Sequence, residues 1–252
     1  MKKPGFTLQE ILLTLAIIGV VAALTIPVLT QRYNQRVWAT SLSTAVSNFE
    51  TAMSTMITKD GANDLFGTRA WRALNGGILT DEGGPIEEFM NAVSETFPLA
   101  QFYFNSELLA DDEDSGYYDG IGSVLNNTRE KIYDIPVMSE SAIYQAKNGM
   151  FFYISIDNSV SDPEKISEID AMDAGVTLTE TAAKVAIDVN GEKAPNVIGR
   201  DIFFFILGAD GVLYPYGSLD VNNKLGEEYT CRNRRGMGCT AQLIENNYVM
   251  NY

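Results

Sequence analysis

The sequence predicts an α+β protein in which a long N-terminal transmembrane helix continues into a globular domain carrying an antiparallel sheet. Three observations predict it. Ile11 to Leu29 is an almost unbroken apolar run without a charged residue. Apolar positions then recur at three- and four-residue intervals as far as Asp60-Gly61. In the last hundred residues, short β-branched and aromatic segments alternate with turn residues.

Composition sets the limits. The 252 residues are 46% hydrophobic and 20% charged, enough apolar content for one sizeable core and too much for a wholly disordered chain. With 33 acidic against 18 basic residues the formal charge is -15, so no nucleic-acid partner is expected: too little positive charge is left to neutralise phosphates. There is no histidine, which removes Ser/His/Asp and Cys/His nucleophile pairs and histidine-ligated zinc. Two cysteines cannot make a four-thiolate metal site. Gly120-Ile121-Gly122 lacks the third glycine of a dinucleotide-binding turn, and no phosphate-binding loop is present. No enzyme is expected.

The first element is the membrane helix. At about 1.5 Å per residue, the run Ile11 to Leu29 spans a hydrocarbon core of about 30 Å. Lys2 and Lys3 precede it and hold that end on the cytoplasmic side, so the chain after Leu29 faces outward. Two plain readings compete. One is an export signal cleaved at Val21-Ala22-Ala23, against which Glu10 counts, because a carboxylate at the mouth of the run hinders insertion. The other is an uncleaved anchor, with Glu10 tolerated by the helix dipole.

Gly5-Phe6-Thr7-Leu8-Gln9-Glu10, followed at once by the apolar run, resembles the processing site of type IV prepilins and of type II secretion pseudopilins. The resemblance implies cleavage after Gly5 by a prepilin peptidase, methylation of the new amine on Phe6, and retention of the apolar helix. It also implies that Glu10 meets the Phe6 ammonium, within a chain or between neighbours, since residues four apart share a helix face. The implied partners are other pilin or pseudopilin subunits, the peptidase and the membrane. The implied location is the inner membrane, crossed once, with the globular part outside the cytoplasm and extractable into a filament. Leader 1–5, assembly helix 6–30, amphipathic continuation 31–60 and extracytoplasmic domain 61–252 follow from it. The expected fold is a pilin-like αβ-roll with an insert.

Later elements follow in order. Pro27 removes a backbone donor, which predicts a kink or opening near Thr25 to Pro27, and the family often bends its helix there. From Gln31 to Thr58 the stripe Val37, Leu42, Ala45, Val46, Phe49, Met53 and Met56 predicts a core-facing helix. Between Asn63 and Ser139, one helix is expected at Pro85 to Thr96. Asp111-Asp112-Glu113-Asp114 reads as a solvated loop, and Asn126-Asn127-Thr128 matches a glycosylation acceptor. Strands are expected at Met150 to Ile156, Ala183 to Val189, Ile202 to Leu207 and Val212 to Tyr216. A turn at Ala209-Asp210-Gly211 joins the last two, and one sheet face lies on the helix.

Two constellations remain. Asp188, Asn190 and Asp201 bring oxygen ligands to a glycine-punctuated loop of the kind calcium prefers, and several pseudopilins bind calcium in such a loop. The alternative is an Asn-Gly turn scaffolded by Asp and Asn side chains, and no cofactor is required. Cys231 and Cys239 suit a single disulfide in an oxidising compartment, as pilins commonly have near the C-terminus; free thiols are the alternative. The tail from Ala241 predicts a short helix or strand anchored by Tyr248, Val249 and Met250.

Overall fold

In the computed structural model, residues 7–74, 85–97, 99–103, 122–123, 142–155, 181–191, 193, 196–216, 231 and 238–251 are described below. The acidic run at 111–114 and the glycosylation pattern at 126–128 lie outside them. The chain divides into two compact units, Met1–Val37 and Trp38–Tyr252.

The first unit contains the opening part of helix α1, which spans Leu8–Asp60. Its apolar side chains, among them Leu12, Leu15, Ile18, Leu24 and Leu29, are exposed. This is the one helix among the described residues long and apolar enough to cross a membrane. Its few hydroxyls are satisfied within the helix: Thr14 donates to the carbonyl of Ile11, Thr25 to Val21 and Thr30 to Ile26, each at 2.9 Å. Such back-bonding leaves none of these three donors unmet in a medium without water. The helical span continues through Pro27 without interruption.

In the second unit the rest of α1 buries Ala39, Leu42, Ala45, Val46, Phe49, Ala52, Met53 and Met56, spaced by one or three residues along a single face. Val37, expected on that face, is 41% exposed, so the buried stripe begins two residues later, at Ala39. The helix ends in a Schellman motif. Gly61 takes φ +62, its N–H reaches the carbonyl of Thr58, and Ala62 N–H reaches Ile57. Asp64 then accepts from Gly67 in a 3-10 turn at Leu65–Gly67, and the Thr68 hydroxyl caps helix α2 (Arg69–Ala73). Helix α3 covers Pro85–Thr96, the span its sequence predicts, and buries Phe89, Met90 and Val93.

Eight strands form one sheet: β1 (Leu99–Tyr103), β2 (Gly122–Ser123), β3 (Ala142–Ala146), β4 (Phe151–Ser155), β5 (Thr181–Asp188), β6 (Val197–Ile198), β7 (Ile202–Gly208) and β8 (Leu213–Pro215). Their order is β1-β3-β4-β5-β7-β6-β2, with β8 also on β7. The pairs β1/β3, β3/β4, β4/β5, β5/β7 and β7/β8 are antiparallel. Two pairings depart from the expected antiparallel plan, since β2/β6 and β6/β7 are parallel. All four predicted strands are present, and the turn between β7 and β8 closes with Gly208 N–H on the carbonyl of Val212 at 2.9 Å.

One sheet face joins α1, α2 and α3 in a single core. Phe152, Val185, Ile187, Phe203, Phe205 and Leu207 lie in it with Leu42, Phe49 and Met53. Phe49 stacks on Phe152 at 5.8 Å between ring centroids, and Phe97 sets its edge against both. The opposite face is buried as well. Ile143, Phe151, Tyr153, Ala186, Phe204 and Ile206 are each at most 1% exposed, so both faces of the sheet are covered there. The run Ile-Phe-Phe-Phe-Ile-Leu at 202–207 carries the signature of a strand covered on both faces.

The C-terminal tail begins as helix α4 (Cys239–Glu245). Tyr248 and Met250 then pack on the core, whereas Val249 is 58% exposed and anchors nothing.

Candidate functional site

The start of α1 is organised around Glu10. Thr7 N–H donates to the Glu10 carboxylate at 2.8 Å, and so does the Thr7 hydroxyl. Glu10 N–H in turn donates to the Thr7 hydroxyl at 3.3 Å. This is a reciprocal capping box, in which two otherwise unmet helix-start donors find side-chain acceptors. The dipole argument places an acid here but misses Thr7. The sequence signal is Thr7-Leu8-Gln9-Glu10, a threonine three residues before a glutamate ahead of an apolar run. Gly5 and Phe6 lie outside the described residues. Pro27 sits inside α1, where its ring nitrogen offers no donor to the carbonyl four residues earlier.

Asp188, Asn190 and Asp201 are brought together, as a scaffold for turns. Asp188 stands at the end of β5, opposite Ile202 in the ladder. One of its carboxylate oxygens accepts from Asn190 N–H at 3.1 Å and Gly191 N–H at 2.9 Å. Gly191 has φ +63, and a Cβ there would come within 2.2 Å of the Gly149 carbonyl, so only glycine fits. Asp201 accepts from Asn196 N–H at 2.9 Å and Val197 N–H at 2.6 Å, which holds the 196–201 loop shut around β6. Asp188 and Asp201 are fully buried. Burial pushes the Asp201 carboxyl up to about 6, against the N–H donors of Val197 and Asn196 and the Asn190 side chain, which pull it down. Among the described residues, no three acidic or cysteine side chains gather as metal ligands. Asp188 and Asp201 each organise a turn through these bonds.

Cys231 and Cys239 form a disulfide, and both are buried. The bond ties α4 to the preceding segment, and Gln242 reinforces it by accepting from Cys231 N–H at 3.3 Å. The next residue, Thr240, is 1% exposed, and its hydroxyl accepts the backbone N–H of Phe204 at 3.0 Å. Phe204 accepts from Tyr216 N–H at 3.0 Å, so Thr240 completes a ladder position that β8 is too short to fill. Two links also join α1 to distant elements. Glu50 accepts from Leu213 N–H at 3.0 Å, and Tyr248 hydrogen-bonds Ser43. Nothing local in the sequence marks these partners.

A charged cluster closes the end of α1. Arg69 bridges Asp60 and Glu95, each at 3.0 Å, and Lys59 also pairs with Glu95. The Asp60 and Glu95 carboxyls lie below their usual values, chiefly through hydrogen bonds from Arg69 and Lys59 respectively. The cluster braces three helix ends and offers no reacting pair. Comparison with family models, with curated proteins and with solved structures returns no match.

Proposed function

We propose that this chain is a non-catalytic structural subunit, a minor pilin or pseudopilin, of a type IV pilus-like or type II secretion filament. Prepilin peptidase cleaves after Gly5, Phe6 becomes a methylated N-terminus, and the apolar helix remains as membrane anchor and filament core. Glu10 pairs with a Phe6 ammonium and sets the register of an incoming subunit. The reading rests on one observation: Gly5-Phe6-Thr7-Leu8-Gln9-Glu10 leads directly into an apolar helix that begins at Leu8.

One observation favours a second reading. The bonds from Thr7 already engage Glu10 as a helix cap, a task it performs equally well in an uncleaved, membrane-anchored periplasmic binding module. The two readings separate on Glu10→Gln. The amide still accepts the Thr7 donors through its carbonyl oxygen but carries no charge for an ammonium. The filament reading expects the variant to insert normally yet lose co-assembly in a crosslinking assay with the native subunits. Undiminished crosslinking would favour the anchored module.

A further inference from the structure

We infer that residues 247–250 are a strained, releasable strap, latched by Tyr248 to Ser43, that clasps α1 where the helix enters the globular core. Strap and clasped turns both lie in the unit Trp38–Tyr252, so this behaviour depends neither on processing nor on a filament.

Asn247 and Tyr248 adopt φ +52 and +60 in succession, and among the described residues Asn196 is the one other non-glycine at positive φ. Asparagine commonly ends a helix in this conformation, but a bulky tyrosine does not. Such a residue persists there only where its surroundings over-determine it, so the groups that hold Tyr248 indicate its job. Its N–H reaches the carbonyl of Leu243 at 2.8 Å, and its ring packs on the core. Its hydroxyl hydrogen-bonds Ser43, and the charge of Glu50 acts on the same group. Ser43 and Glu50 stand seven residues apart and share one face of α1. Ser43 also lies between Ala39 and Val46, among the first buried turns of the helix.

The strap is built to open alone. Upstream, α4 is fixed by the Cys231–Cys239 disulfide and by the bond from Phe204 N–H to Thr240. Downstream of Tyr248, Met250 packs on the core, whereas Val249 and Asn251 are exposed. The other bonds are local: Val249 N–H donates to the carbonyl of Asn246, and the Asn246 side chain donates to that of Asn251, each at 3.1 Å. Opening at Asn247 and Tyr248 therefore gives up two anchors and relieves two left-handed residues while α4 stays docked. It uncovers the side of α1 that carries Ser43 and loosens the clasp at the entry of the helix into the core.

Amide exchange of the full-length protein in micelles tests this, with Tyr248, Val249 and Phe204 read individually. The Tyr248 and Val249 amides should exchange faster than Phe204 and at a rate insensitive to low denaturant, while exchange at Phe204 rises with denaturant. Tyr248→Phe and Ser43→Ala each remove the latch bond and should speed strap exchange about two- to tenfold. The double variant should go no further than either single one, because both delete the same bond. Asn247→Gly, which relieves one left-handed residue in the closed strap, should slow exchange about two- to fivefold. Strap amides that follow the denaturant dependence of Phe204 would overturn the independent opening. Effects of Tyr248→Phe and Ser43→Ala that multiply, or that are absent, would overturn the latch.

Discussion

Replacing Thr240 by valine keeps shape and volume while deleting one oxygen, so it isolates a single hydrogen bond. In the native protein that oxygen accepts Phe204 N–H at 3.0 Å, and both residues are 1% exposed. Without it the buried donor loses its acceptor, a cost of about 1–3 kcal/mol. Helix propensity contributes little, because valine and threonine rank together. Thr240→Ser is the control: it keeps the oxygen and loses one methyl, worth about 0.5–1.5 kcal/mol by analogy with other single-methyl deletions. Two measurements on the full-length protein in micelles decide the matter. Denaturant unfolding, followed by the fluorescence of Trp71 packed on Phe89, gives the stability loss. Amide exchange at Phe204 gives the local effect, about tenfold faster for each 1.4 kcal/mol. The reasoning is refuted if Thr240→Val is as stable as the native protein and Phe204 exchanges at the native rate.

Other expectations follow from the same geometry. The Tyr144 hydroxyl is fully buried with no hydrogen-bond partner among the described residues, so Tyr144→Phe should leave stability unchanged or raise it by about 1–2 kcal/mol in the same titration. Asn247 has φ +52 at the end of α4, where its N–H and that of Tyr248 close a Schellman motif on Ile244 and Leu243; Asn247→Gly should raise stability by a few tenths to about 1 kcal/mol. Asp201 titrates near 6 when folded against 3.8 otherwise, so between these values the native state binds the extra proton. Its contribution is therefore full below about pH 4 and lost as pH rises through about 6, a slope that Asp201→Asn should abolish in unfolding measured across that window.

The legible parts of the sequence are those where neighbours in the chain share one environment. The α1 stripe from Leu42 to Met56 repeats a single packing face, and β4 and β7 are dense in aromatic or β-branched residues. Strand β3, Ala-Ile-Tyr-Gln-Ala, has only two large apolar residues, and its pairing with β1 and β4 comes from tertiary contact. The two-residue strands β2 and β6 are too short to carry a period at all. Burial of both sheet faces was written in the unbroken apolar run at 202–207, but the same run also suits a strand with one dry face.

At the candidate sites the contrast is similar. The turn chemistry of Asp188-Val189-Asn190-Gly191 is local and readable, whereas the place of Asp201 in the same loop depends on the pairing of β5 with β7. Thr240 meets an amide 36 residues away and carries no signal of it. The Thr7 cap was readable from four consecutive residues; attention to the charge on Glu10 hides it.

The central claim is that the apolar helix is retained behind a processed N-terminus, and the intact mass and N-terminal sequence of the protein from its native membrane test it most directly. A chain that begins at methylated Phe6 is the predicted result. A chain that begins at Met1, or one cut near Leu24, would contradict it.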